Sequence, residues 1–320
     1  MIEVNTEPSI AVLLLAFGGP DSLKEVEPFL NNVLKTSGRN PTQAQLQKVI
    51  EKYRLIGGRS PLLDITLEQA GALEKQLKEK GGKVYVGMRQ WSPFINETLK
   101  AIKEDGIDQI VAVIMAPHSS KASTGAYIKE VDKALSGFDS GTEVSFVDSW
   151  HDHPLFLDAL TEKIEEGFNL FPGVQREDIH VIFSAHSLPL RVLKGDAYLE
   201  QLNATIQGLL KIIGPVKWQL AFQSKGGGPG EWLGPDVDTA LKQAADIGEK
   251  KVLLVPIGFV SDHLETLYDI DVLYKKKAEE MGISFRRSPS LNASPKFISA
   301  LAGIICEHLG VLRRNFSTVY

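Results

Sequence analysis

The chain of 320 residues holds a single cysteine, Cys306. One thiol cannot close an internal disulfide, and an iron–sulfur cluster needs about four cysteine ligands. Nothing in the cysteine usage points to an oxidising compartment. Positive charge is not in excess: 35 Lys and Arg stand against 40 Asp and Glu, a net charge of −5. That balance speaks against a nucleic-acid partner, which calls for a basic face. No apolar run reaches the roughly 20 residues of a membrane-spanning helix. The first residues, MIEVNTEPS, lack the basic stretch and apolar core of a secretion signal, and a cytoplasmic protein is expected. The common nucleotide and hydrolase signatures are missing too. GGGPG at 226–230 lacks the Gly-Lys-Ser/Thr ending of a phosphate loop, no GxGxxG follows a strand, and no GxSxG puts Ser184 or Ser187 forward as a nucleophile.

What is present is a series of short apolar runs separated by longer helical patterns. The runs are IAVLLLAF (10–17), VYVGM (84–88), QIVAVIMA (109–116), VSFVD (144–148), HVIFSA (180–185), WQLAF (218–222), KVLLVPI (251–257) and ISFRR (283–287). Most are apolar throughout instead of alternating, the pattern of strands buried on both faces of a parallel sheet. Strand–helix alternation over the whole length predicts an α/β fold. The runs divide into two sets of four, and in each the third is the most apolar and leads into a proline-bearing segment, APHSS at 116–120 and PIGFVSDH at 256–263. The expected architecture is two Rossmann-like lobes, 1–150 and 151–290, each a four-stranded parallel sheet flanked by helices. The last stretch, 291–320, is expected to supply a helix that packs back on the N-terminal lobe. In such sheets ligands bind beyond the carboxyl ends of the strands. The cleft is therefore expected to be lined by FGGPDS, GMRQWSP, APHSSKASTG, SAHSLP, FQSKGGGPGEW and GFVSDHLE.

His186 ends the apolar run Val181-Ile182-Phe183 and so falls at the cleft. A lone histidine is more often structural, but a second segment, FVSDHLETLYDID at 259–271, adds weight. Asp262 followed by Glu265 resembles the capping box of a helix start. Asp262, Glu265 and Asp269 fall at i, i+3 and i+7, which puts them on one helical face with His263 one step round. A solvated acidic face explains that spacing as well as a metal route does. His151-Asp152-His153 has metal-binding chemistry, yet adjacent loop residues seldom make a site alone.

Taken together, SAHSLPLRVLKGDAYLEQL (184–202), FQSKGGGPGEWLGPDVD (222–238) and VPIGFVSDHLETLYDID (255–271) resemble the ferrochelatase family. LLLAFGGPDSLKEVEPFL (13–30), YRLIGGRSPL (53–62) and YVGMRQWSPFINETL (85–99) extend the resemblance, which runs from about residue 10 to about residue 310. It implies two Rossmann-like lobes and insertion of Fe²⁺ into a porphyrin in haem biosynthesis, with release of two protons. Iron is then a substrate, and no resident cofactor or iron–sulfur cluster is implied. By resemblance His186 is the cleft histidine and Glu265 its facing glutamate, both able to bind metal, pointing at each other across a gap wide enough for a tetrapyrrole disc. A neutral imidazole can accept a pyrrole proton or ligate iron. Asp262, His263 and Asp269 would extend an acidic path for the metal, and Phe17, Tyr53, Ser60, Arg89, Ser120, Ser123 and Tyr127 would hold the porphyrin.

Two departures stand out. Some relatives carry a tyrosine at the place of Phe17 that binds the iron of the product; phenylalanine has no oxygen and can only stack on the ring. Leu273 stands where some relatives have a further acidic residue, which weakens the case for a second metal site. Coproporphyrin III and protoporphyrin IX are both open as substrates: APHSS and SPLLDIT resemble the coproporphyrin group, whereas FGGP with Phe17 does not match its tyrosine-bearing members. Two other readings use the same cleft, a tetrapyrrole carrier that releases haem without chemistry and a cobalt or nickel chelatase of another tetrapyrrole. The implied partners are the porphyrin and Fe²⁺, with room for transient contact with neighbouring haem-pathway enzymes or a membrane surface.

Overall fold

The computed structural model describes residues 10–35, 38–78, 82–137, 141–226 and 230–317, the last seven by backbone alone. The apolar runs become eight strands: β1 (Ile10–Ala16), β2 (Gly82–Met88), β3 (Gln109–Ile114), β4 (Glu143–Val147), β5 (His180–His186), β6 (Lys217–Gln223), β7 (Lys251–Pro256) and β8 (Ser284–Arg287). They build two four-stranded sheets with orders β2-β1-β3-β4 and β6-β5-β7-β8, parallel at every pairing.

The central strands show why their sequences do not alternate. Along β1, Ala11, Leu13 and Leu15 point to one face, where they meet Ile95, Leu99, Ile102 and Tyr127. Val12 and Leu14 point to the other, against Leu73 and Leu77. Both faces are covered by helices, so both parities must be apolar. On the first sheet these are α3 (Leu62–Leu77), α4 (Ile95–Glu104) and α5 (Thr124–Leu135). On the second they are α6 (Pro154–Phe168), α7 (Tyr198–Ile213), α8 (Val237–Asp246) and α9 (Lys275–Glu280). Before α3, α1 (Val26–Lys35) and α2 (Gln43–Leu55) form a cover over the first sheet's carboxyl end; α2 opens with a capping box in which Thr42 and Gln45 bond reciprocally.

The two sheets share one core. Val12 and Leu14 of β1 belong to the same buried cluster as Val181 and Phe183 of β5, with Phe156 and Phe297 between. Trp150 lies at this junction, edge-on to Phe156 at 4.9 Å and donating its indole N–H to the Ile114 carbonyl. The final helix, α10 (Pro295–Ser317), lies against both α3 and α6. Gln76 donates to the Ser299 hydroxyl at 3.3 Å, and Lys296 pairs with Asp158 at 3.1 Å. Among the described residues no helix is long and apolar enough to cross a membrane.

Candidate active site

His186 is the last residue of β5, and the chain beyond it is pinned. The Ser187 N–H donates to the Gln223 carbonyl at the end of β6, and Leu188–Leu190 exchanges backbone bonds with 231–233. The Tyr198 hydroxyl donates to the His186 carbonyl at 3.0 Å. The imidazole is fixed as well: Nδ1 lies 2.7 Å from the Ser187 carbonyl. A carbonyl only accepts, so Nδ1 carries a hydrogen and Nε2 is left for chemistry.

Glu265 comes from the segment after β7, the strand beside β5. Gly258 lets that segment close onto the end of β5, since a Cβ there would stand 3.2 Å from the Ala185 backbone. Glu265 Oε1 lies 3.5 Å from His186 Nε2, and Oε2 lies 3.7 Å from His263 Nε2. The His263 ring is held by Nδ1 on the Ser261 carbonyl at 3.0 Å. The His186 and Glu265 side chains remain 37% and 29% exposed, so the pair opens to the cleft. The geometry corrects one expectation. The two groups do not face each other across a disc-wide gap; they stand side by side on the C-terminal lobe, because neighbouring strands deliver their following residues to neighbouring positions.

The charges follow from this contact. Burial works against a charged imidazole, but the Glu265 carboxylate outweighs it, with help from the Ser187 carbonyl and Asp269, and holds the His186 pKa above 6.5. Burial likewise raises the pKa of Glu265, yet His186 and then His263 overcome it and hold the carboxyl well below the usual range.

The acidic segment departs from its sequence pattern. Glu265–Tyr274 is a π-helix, bonded i to i+5, so the i, i+3, i+7 face does not form. Asp262 lies before the helix, and no Glu265 cap reaches its backbone; instead the His263 N–H bonds the Thr266 hydroxyl, which reaches back to Asp262. The Asp262 carboxylate is turned away to Arg287 at 3.1 Å, Ser290 at 2.7 Å and Asn292 at 2.9 Å. Burial opposes its charge, but Arg287 and these donors keep its pKa below 3.8. Asp269 does lie near the pair, its charge acting on His186, and it accepts from Lys52 at 2.8 Å and Ser224 at 2.9 Å. Among the described residues no three His, Cys, Asp or Glu side chains form a metal-holding group. In the 151–153 segment, His151 bonds Ser149, while His153 caps α6 and reaches Glu307.

The N-terminal lobe supplies an aromatic wall. Phe17 is 40% exposed after β1 and meets the buried Phe29 edge-to-face at 6.4 Å; Tyr53 and Trp91 pack on the same ring at 6.5 and 6.0 Å. Tyr53 on this wall feels the charge of Glu265: burial and then that carboxylate raise its pKa. Ser60 is buried beside it, under Gly19, where a Cβ would stand 2.5 Å from the Ser60 Cβ. Arg89 lies 5.5 Å over the Tyr127 ring, and burial pushes that phenol up to about 12 against the pull of Arg89. The Ser120 hydroxyl is buried and donates to Asp196 of the other lobe at 3.2 Å. Ser123 is half-buried before α5 and makes no side-chain cap. Arg89, Ser123 and Phe17 thus keep surface for a ligand, whereas Tyr53, Ser60, Ser120 and Tyr127 are buried.

Several neighbours of the site carry no motif of their own. Gln223 is the register partner of His186 and accepts from the Ser184 hydroxyl at 2.9 Å. Tyr198 holds the His186 backbone and lies edge-on to His118, whose pKa burial, aided by His151, drives down to about 3. Lys52 adjoins Tyr53 in the chain. Tyr198 and Gln223 lie inside the quoted segments, but only strand order shows which of their neighbours touch His186. Residues 227–229 of GGGPG lie outside the described residues.

The chain is similar to known proteins over nearly its whole length. The family model described as Ferrochelatase matches residues 9–309. The chain is 41% identical over 311 residues to the ferrochelatase of Geotalea daltonii, covering 92% of this chain and 96% of that one. It is 39% identical over 310 residues to the ferrochelatase of Deinococcus radiodurans, covering 95% and 98%. Among solved structures, SirB from Bacillus subtilis with Fe³⁺ superimposes with a TM-score of 0.56 over 93% of this chain and 95% of that one. The identity there is 13%, so that likeness concerns the fold.

Proposed function

Since the chain belongs to the ferrochelatase family and inserts Fe²⁺ into a porphyrin in haem biosynthesis, we propose that His186 and Glu265 carry the insertion. A free porphyrin must lose two pyrrole N–H protons as iron enters. The observation that carries the reading is the His186 ring itself: Nδ1 is committed to the Ser187 carbonyl, and Nε2 lies 3.5 Å from Glu265 with access to the cleft. In its neutral form Nε2 accepts a pyrrole proton, and the Glu265 carboxylate beside it stabilises the imidazolium that forms. The proton then leaves to water through the exposed side of the ring, and the cycle repeats for the second. Because Glu265 raises the His186 pKa, the neutral, proton-accepting ring prevails only at higher pH than in a free imidazole.

The porphyrin lies over the pair and not between its members. One apolar face meets the wall headed by Phe17, and the nitrogen core faces His186 and Glu265. Arg89 and Ser123 are placed for carboxylates at the ring edge. In this reading His263 and Asp269 line the metal's approach to Glu265, while Asp262 serves the turn that leads into the π-helix.

The test is His186→Ala. Insertion, followed by absorbance under anaerobic conditions with coproporphyrin III and with protoporphyrin IX, should fall by about 10²–10⁴-fold, the usual contribution of a positioned proton acceptor. Porphyrin binding, followed by fluorescence quenching, should change little. Unchanged insertion would remove the mechanism. A carrier would bind either porphyrin but show no insertion even with His186 in place.

A further inference from the structure

Lys52 belongs to none of the motifs above, yet it touches the site from the opposite lobe. It lies on α2, whose position is set by apolar packing: Tyr53, Leu46 and Val26 form a buried cluster that also takes in Leu264, the residue before Glu265. This contact lays α2 along the π-helix. Lys52 Nζ then reaches the Asp269 carboxylate at 2.8 Å, a pair 217 residues apart in sequence, and lies 4.9 Å from the Tyr268 ring centroid. The second Asp269 oxygen is held by the Ser224 hydroxyl at 2.9 Å.

The two partners are unlike in burial. The Asp269 side chain is 9% exposed and that of Lys52 is 33% exposed. The carboxylate is fixed, while the ammonium stands at the water side on a flexible stem and can leave. Of the two cleft-side carboxylates of this helix, Glu265 lies beside the imidazole of His186, and Asp269 already has a cation, the ammonium of Lys52. Removing Lys52 alone would leave a buried carboxylate unpaired, which is unfavourable. A divalent cation arriving at Asp269 replaces that charge and more.

We propose that Lys52 is a removable counter-ion that guards metal entry: Fe²⁺ reaches Glu265 along Asp269 by displacing the Lys52 ammonium. The inference rests on the reading of His186 and Glu265 as the insertion pair and adds a determinant of metal access to it. No bond is made or broken in this step; one cation exchanges for another at the same carboxylate. A plain strap between the lobes would use the same contact, and kinetics separate the two roles.

The experiment measures anaerobic insertion with Fe²⁺ varied at saturating porphyrin, then with porphyrin varied at saturating Fe²⁺. In Lys52→Met the KM for Fe²⁺ should fall roughly threefold, the size expected of one partly exposed unit charge, while the KM for porphyrin stays within error. Lys52→Arg keeps the charge and should retain the wild-type KM for Fe²⁺. In Asp269→Asn the ammonium stays in the route without its anchor, and the KM for Fe²⁺ should rise. A KM for Fe²⁺ that is unchanged or higher in Lys52→Met overturns the proposal, as does a rise in both KM values with a lower melting temperature, the mark of a strap. Should Lys52→Met fail to fold, Asp269→Asn decides: an unchanged or lower KM for Fe²⁺ there refutes the gate. Failure of the insertion pair would show separately, as full insertion in His186→Ala whatever Lys52 does.

Discussion

The two lobes repeat one topology and divide the chemistry. Each sheet has its first strand in the second position, flanked by the second and third, with orders β2-β1-β3-β4 and β6-β5-β7-β8. β1 and β5 are equivalent central strands, and the residues at their ends differ in kind. After β1 stands Phe17, an exposed ring on an aromatic wall; at the end of β5 stands His186, an imidazole paired with a carboxylate. The third strands diverge too. β3 leads to buried hydroxyls at Ser120 and Thr124, and β7 leads to Glu265 and a π-helix. One lobe presents an aromatic wall and the other an ionisable pair. A tetrapyrrole needs both, being flat and apolar on its faces and polar at its centre.

That division can be broken in order of effect. The largest loss is expected on the charged side, the drop of about 10²–10⁴-fold in insertion for His186→Ala. Next comes the support beneath Glu265. Asp262 and Arg287 are largely buried, with side-chain exposures of 19% and 12%, and Asp262→Ala leaves the guanidinium without one of its two carboxylates. A loss of about 3 kcal/mol in stability is expected from breaking a buried pair, read as a lower midpoint in urea. Because Asp262 has its pKa held below 3.8, the stability it contributes is full above that pH and is lost as pH falls through the lower folded value.

The aromatic side should lose less. Phe17→Ala removes a stacking surface worth about 0.5–1.5 kcal/mol, so the KM for porphyrin should rise by about twofold to tenfold with the KM for Fe²⁺ unaffected. The finest test is Glu265→Gln. Without the carboxylate, burial dominates, and the His186 titration, followed by NMR, should move down from its raised value; no movement would detach the two groups. In the wild type the raised pKa sets two opposite trends. The stability from this contact is complete below pH 6.5 and is lost as pH rises through the raised folded value. Insertion needs the neutral ring and should increase over that same rise.

The strands could be read because burial on both faces writes itself into every residue of a run, and Leu13 and Leu14 are apolar for opposite sides of one sheet. His186 could be read for a related reason: a polar residue at the end of such a run falls at the carboxyl edge, where ligands meet the sheet. The π-helix was not legible. FVSDHLETLYDID satisfies an α-helical face as well as any other, and the contacts that hold the segment, Arg287 on Asp262 and Asp271 and Lys52 on Asp269, come from residues distant in sequence. The resemblance puts Asp262 on the metal path, and its actual partners come from residues 287–292.

Composition and local pattern thus decided the α/β class, the eight strands and the residue types brought to the cleft, because apolar periodicity and strand ends are properties of neighbours in sequence. Which imidazole nitrogen is free, which carboxylate it meets and which cation stands in the way were decided only on folding. Those depend on strand order and on contacts such as Lys52 with Asp269, 217 residues apart, and no local pattern carries information over that distance.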